Sequence, residues 1–351
     1  MAKTPSSDHF FSKLNRGLVS IFLLLVILYL GRHIFIPLAF ACLFALLMVT
    51  PCNFIERYHI PRGLSSLMSI MAFVLIGFLF VYFTSFQLVR LKSDWLVLAG
   101  QISAGVRHLE KWIQEKSGFG SSGAAVWIRS YTSGSLTGSS SFLNGTVTFV
   151  SGTLLYLALI PIYTFLLLYY RGLILQFFIR KFGAGHKENV LKLFSKARYV
   201  IKGYVGGLLI EMLIVASLNC TGLYFAGMKY ALLLGLIVAL LNLIPYLGIF
   251  MACILSLLIT LQTDSPDTTL RVIFVLVLVH LADAYFLFPK VVGSKVKINA
   301  LAALLGVMVG GMMWGIPGMF LSLPAVALLK VVFDEVEELR AWGLLLGEAP
   351  L

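Results

Sequence analysis

The sequence predicts an all-α polytopic membrane protein: about six full spans, two re-entrant helical hairpins of opposite orientation, and a small helical extramembrane domain. Three observations lead to this class. Of 351 residues, 60% are hydrophobic and 12% charged, with a mean hydropathy of +0.96; a soluble domain is nearer half apolar and a quarter charged. Several apolar runs exceed the roughly 18 residues that mark a membrane helix. Two of those runs, 230–262 and 298–329, are too long for one crossing and are interrupted by proline and glycine.

Composition also excludes function classes. The net charge of +12 sits in loops beside apolar runs, which is a topology signal and not a nucleic-acid footprint. Cys42, Cys52, Cys220 and Cys253 lie in or beside apolar segments without metal-ligand spacing, so they read as small packing residues. There is no P-loop, no H-E-x-x-H and no G-x-S-x-G. The chain therefore reads as a non-enzyme without an ATPase of its own and without a cofactor. No small-residue cleavage site separates Ile21–Leu30 from the apolar run that follows, so the start does not read as a cleavable signal.

Taken in order, residues 1–17 are polar, with Lys3, Lys13 and Arg16. Residues 18–50 are apolar around Gly31-Arg32-His33 and Pro37, and read as two short crossings, 18–31 and 34–50. The loop 51–63 holds Glu56, Arg57, His59 and Arg62, and a span at 64–88 completes an N-terminal scaffold over 18–88. In 89–146, Leu91, Trp95, Leu98, Ile102, Val106, Leu109 and Trp112 recur at helical steps, predicting an amphipathic helix. Glycine- and serine-rich runs at 117–123 and 132–141 follow, so 89–146 reads as an extracytoplasmic helical domain; Asn144-Gly-Thr146 matches the glycosylation pattern.

After a span at 147–170, residues 171–202 set eight cations against Glu188 and read as a basic amphipathic linker at the headgroups. A span at 203–226 leads to the first broken stretch, interrupted at Asn242–Gly248. A span at 271–288 is closed by Pro289, the basic loop Lys290–Lys297 follows, and 203–332 reads as one C-terminal region before an acidic tail, 333–351.

Loop charge chooses between kink and hairpin. With the N-terminus cytoplasmic, two crossings in 18–50 keep 171–202 inside, where its cations belong. A full crossing by 230–262 would put Asp264 and Asp267 inside and Lys290, Lys295 and Lys297 outside, against the same bias. A hairpin reverses this, and 298–329, centred on Gly310–Gly318, must then also be a hairpin, entering from the cytoplasm. Two opposed hairpins meeting at the midplane are a common way to build a transport site.

Ionisable residues inside a membrane are functional candidates by default. Glu211 lies within the 203–226 span. His280 and Asp283, three residues apart, share a helix face and could relay a proton or form a structural hydrogen bond. Asn219 and Asn242 offer neutral polar contacts, or serve as helix–helix glue. Carbonyls freed by Pro245, Gly248 and the glycines at 310, 311 and 315 could bind a cation or a hydroxylated solute, and these glycines permit close approach to the opposite hairpin. Gly203-x-x-x-Gly207 and Gly306-x-x-x-Gly310 permit close helix contacts. A pore, a structural protein using 89–146 as an interaction module, and an intramembrane enzyme are the rival classes. The pore lacks a continuous polar lining, and the enzyme lacks a nucleophile–base pair.

Asn242-Leu-Ile-Pro245-Tyr-Leu-Gly248 resembles the N-x-I-P-Y-x-G segment of the AI-2E (autoinducer-2 exporter) family. Pro289-Lys-Val-Val-Gly293 resembles its P-x-x-V-G segment. Gly310-Gly311, Gly315-Ile-Pro317-Gly318 and Leu323-Pro324 resemble its C-terminal glycine-rich stretch, and Pro51 with Ile60-Pro61-Arg62 its N-terminal part. The likeness covers 18–88 and 147–332. It departs at Ile249 and Ala300, where proline is common, and at Asp283, where the acid is usually Glu. The resemblance implies a secondary transporter of the bacterial inner membrane with both termini cytoplasmic, and a homo-oligomer with a pentamer among the options. The substrate it implies is autoinducer-2, or sodium or lithium exchanged for protons, with H+ or Na+ as coupling ion.

Overall fold

The computed structural model describes residues 7–92, 155–228, 231–243, 253–254, 256 and 266–347. Among these the chain is helical, with one isolated bridge between Ile298 and Gly347. The expected extramembrane domain beyond Lys92, the Pro245–Gly248 break and Asn144 lie outside the described residues. The helices are α1 (Ser7–Leu30), α2 (Arg32–Glu56), α3 (Arg62–Lys92), α4 (Leu155–Tyr169), α5 (Arg171–Phe182), α6 (Lys187–Phe225) and α7 (Ala231–Leu241). Then follow α8 (Pro266–Ala282), α9 (Ala300–Trp314), α10 (Ile316–Glu335) and α11 (Arg340–Leu346).

Five stretches are long and apolar enough to cross a bilayer: Arg32–Glu56, Arg62–Leu79, Lys187–Phe225, Asp267–Val296 and Ile316–Glu335. The α4–α5 pair makes a sixth if counted as one span. Their outer faces expose large apolar side chains such as Leu75, Leu213 and Leu278. Such a surface is stable against lipid, and the chain is a multi-pass membrane protein.

Helix α6 is the spine. It is one rod of 39 residues, about 58 Å at 1.5 Å per residue. The sequence predicts a break near 202, between a flat basic linker and a span, and there is none. Glycine in a helix costs roughly 1 kcal/mol relative to alanine, but here tertiary contact offsets it. A Cβ on Gly207 would lie 2.7 Å from the Val291 carbonyl oxygen, and one on Gly203 3.1 Å from Lys295 Cβ. Much of the predicted linker is thus the protruding end of the spine. Only α5, bent 60° from α4 and without a buried residue, stands apart.

Two other boundaries differ from expectation. The path Asp267–Val296 runs through Pro289 as two π-helical segments, Asp283–Leu287 and Pro289–Gly293. Proline lacks an N–H and clashes with the preceding α-turn; at the first position of a wider π-turn it meets neither difficulty. At Gly31 the chain bends and does not reverse: φ is −85° and ψ 17°, with Gly31 N donating to Ile27 O and Phe35 N to Gly31 O. Nearly the same dihedrals at Tyr170 accompany the 60° bend. One near-helical residue separates α1 from α2, where the sequence suggests a boundary between two short segments at 31–34.

Helix α7, the described arm of the first expected hairpin, and the α9–α10 hairpin approach α6 from opposite ends. At one end the chain reverses after α6 at Gly227 (φ 86°), and Gly235 seats against the Cys220 backbone. Leu223, Ala231, Val272 and Leu276 share one core, so α8 begins where α7 began. At the other end, the α10 terminus lies beside the start of α6 through Lys192 and Lys196 on Glu335. There Asn299 N donates to Leu346 O, tying the start of α9 to the end of α11. This second hairpin reverses at Gly315 (φ 64°). Its arms touch so closely that a Cβ on Gly318 would lie 1.9 Å from the Gly310 oxygen, and one on Gly311 2.7 Å from Met319 Cε. Among the described residues Gly310 and Gly311 thus pack on the other arm of their own hairpin. Leu243 of the first hairpin meets Val307 and Leu323, midway along the arms of the second. The Gly315 tip instead meets α1, where Trp314 Nε1 donates to Leu28 O at 3.0 Å. Among the described residues, the chain leading to the Asn242–Gly248 break thus packs on the flank of the second hairpin; the break itself lies outside them.

Gly318→Ala should destabilise the protein by about 1–3 kcal/mol through overpacking, while Gly206→Ala, with nothing within 4 Å of the added carbon, should not. Thermal unfolding of the two purified variants checks this.

Candidate functional site

Three elements converge midway along α6. Tyr204, Leu208 and Glu211 fall at i, i+4 and i+7 on α6 and so share one face. Asn242 follows the end of α7, and Asp283 opens the first π-helical segment. π-turns inside α-helices recur at functional sites. Together they line a cavity of about 360 Å³ with His280 and a wall that includes Phe288, Val307 and Leu323. Glu211 and Asp283 are 4% and 5% exposed.

The Asn242 carboxamide links the two acids. Its Nδ2 donates to Asp283 Oδ2 at 2.9 Å and, at a longer 3.4 Å, to Glu211 Oε1. The remaining oxygens, Glu211 Oε2 and Asp283 Oδ1, are buried without a partner. Among the described residues no lysine or arginine lines the cavity. A buried carboxylate is costly unless paired and hydrogen-bonded. An amide supplies hydrogen bonds but no charge, and a proton on either carboxyl group would lower the cost of burying the pair. Among the described residues no group of three or more His, Cys, Asp or Glu could hold a metal ion.

The predicted residues divide clearly. Glu211, Asn242, His280 and Asp283 come together. His280 lines the cavity, but its Nδ1 is buried and unpartnered and it makes no bond to Asp283; the acid faces Asn242 instead. Asn219 is buried away from the cavity, and its Nδ2 donates to Val215 O at 3.0 Å in its own helix. Gly310, Gly311 and Gly315 shape the second hairpin and do not line the cavity. Pro245 and Gly248 lie outside the described residues. Tyr204, 2% exposed, was not predicted; its seven-residue spacing from Glu211 is the signal that places it.

Asn242→Ala should cost about 1–3 kcal/mol by leaving both acids without their common donor. Adding Asp283→Asn should restore part of the loss, with a coupling of roughly 0.5–3 kcal/mol. A double-mutant cycle of unfolding free energies measures it; strictly additive effects would rule out the bridge.

A profile described as "AI-2E family transporter" matches residues 18–338. The chain is also similar to YueF of Bacillus subtilis, 32% identical over 156 residues (44% of this chain, 42% of that protein). It is similar to YrrI of the same organism, 33% identical over 137 residues (39% and 38%). With YhhT of Escherichia coli it is 23% identical over 126 residues (36% of each). All three are provisionally named transport proteins, and the chain spans less than half the length of each. Nearly the whole chain matches the family profile: the protein belongs to the AI-2E transporter family.

Proposed function

We propose that this protein is a secondary transporter of the bacterial inner membrane. It exports a small polar solute, autoinducer-2 or a similar compound, driven by ions bound at Glu211 and Asp283. The observation that carries this reading is the pair of buried acids joined by one amide, with no lysine or arginine among the described residues of the cavity wall. Each partner comes from a different element. Movement of the first hairpin, which carries Asn242, breaks or remakes the bridge and so couples ion occupancy to conformation. That is alternating access in a form these contacts support.

In this reading both hairpins re-enter the membrane. The 15 residues of α9 reach about 22 Å, short of the roughly 30 Å of hydrocarbon. The end bearing Arg171–Lys202 and Lys290–Lys297 faces the cytoplasm by its charge. A passive pore fits less well, because Leu208, Phe288, Val307 and Leu323 interrupt the polar wall. A second reading, sodium(lithium)/proton antiport, is favoured by the donors themselves: carboxyl and carboxamide oxygens are hard ligands suited to a small hard cation.

Flux in proteoliposomes separates these readings. Glu211→Gln and Asp283→Asn should each abolish gradient-driven transport while leaving folded protein in the membrane, as judged by size-exclusion profile. Full activity in both variants would sink ion coupling. Autoinducer-2 uptake into inverted vesicles supports the first reading; sodium or lithium flux without it supports the second.

A further inference from the structure

A second polar cavity, sharing no residue with the first, lies among α2, α4, α5 and the start of α6 and measures about 590 Å³. Its charge is one-sided. Arg62, Arg171 and Arg198 line it. Arg171 Nη2 donates to both oxygens of Glu56, at 2.7 and 2.6 Å, and its Nη1 is buried without a partner. Arg198 Nη2 reaches only the neutral Thr50 hydroxyl, at 3.1 Å. Among the described residues Arg62 forms no ion pair; its Nη1 lies 3.5 Å from where a Cβ on Gly172 would stand, so the missing side chain leaves the guanidinium room beside Arg171. Three guanidiniums against one carboxylate leave two positive charges uncompensated. The planar guanidinium fork matches a phosphate group better than an ammonium does.

The rest of the wall selects the kind of phosphate. Leu167, Leu175 and Leu191 line the same cavity and offer nothing to a free anion. At its edge α5 turns 60° from α4 and buries no residue, exposing Leu173, Phe177 and Phe182 beside Arg180 and Lys181. That is the pattern of a helix lying in the headgroup layer. Basic pockets between membrane helices at this depth suit anionic lipid headgroups. We propose that this cavity binds one anionic glycerophospholipid, its phosphate on Arg62 and Arg198 and its chains against the leucine wall. The site does not depend on the transport reading.

The test is native mass spectrometry of the full chain with phosphatidylglycerol or phosphatidylcholine. Wild-type protein should retain one phosphatidylglycerol per chain and no phosphatidylcholine. Arg62→Gln with Arg198→Gln should weaken retention about 30-fold, taking the usual contribution of two surface cations. Lys290→Gln with Lys297→Gln removes the same charge away from the cavity, on neither its wall nor its α5 edge, and should leave retention unchanged. If the first pair fails to fold, as judged by thermal unfolding in zwitterionic lipid, Arg62→Gln alone should weaken retention about fivefold. Equal loss in both pairs, no loss in either, or equal retention of phosphatidylcholine would overturn the proposal. Binding of inorganic phosphate to delipidated protein, lost in the first pair and competing fully with lipid, would assign the site to a free anion and also overturn it.

Discussion

One carboxamide between two buried acids is the constraint on which the rest of this structure depends. Glu211 and Asp283 sit among apolar side chains, where an uncompensated charge is costly. Asn242 supplies donors to both, but only if α6, the π-helical segment after α8, and the end of α7 stand at one level. The architecture around the cavity can be understood as the means of holding those three elements in register.

Close backbone approach is what holds them. In lipid, apolar burial does not drive helices together, so packing of small residues carries more of the association. Gly207 lets the Val291 carbonyl reach the α6 backbone, bringing the π-helical segment beside Glu211. Gly235 does the same for α7 against Cys220, and so fixes where Asn242 arrives. Gly310 and Gly318 close the second hairpin into a narrow unit whose flank, at Val307 and Leu323, walls the cavity. The basic end is braced separately, by Arg171 on Glu56 and by Lys192 and Lys196 on Glu335, and this leaves a set of arginines free of carboxylate partners.

Much of the site could be read from the residues, for a definite reason. An acid or amide inside an apolar run is rare because it is expensive, so Glu211, Asn242, His280 and Asp283 stood out without any structure. Asn219 stood out equally, yet its described hydrogen bond stays within its own helix, Nδ2 donating to Val215 O one turn back. Sequence alone does not separate a side chain bonded within its own helix from one that reaches across to another. Tyr204 escaped notice because an aromatic in a membrane helix is ordinary, and only its shared face with Glu211 sets it apart.

Composition and apolar run length by themselves determined that this chain is helical and crosses a membrane several times, because hydrocarbon tolerates few alternatives. The interruption at Gly310–Gly318 marked a reversal that the structure places at Gly315, whereas the one at Asn242–Gly248 runs into residues outside the described ones. Only the tertiary structure decided which glycines and prolines break a helix. Gly203 and Gly207 do not, because a neighbouring backbone fills the space they leave. Pro289 does not, because a π-turn accommodates it. Gly31 bends the chain without reversing it, and Gly315 does reverse it. The same residue types give opposite outcomes because their conformation is settled by what packs against them, which a linear pattern of apolar and polar residues does not record.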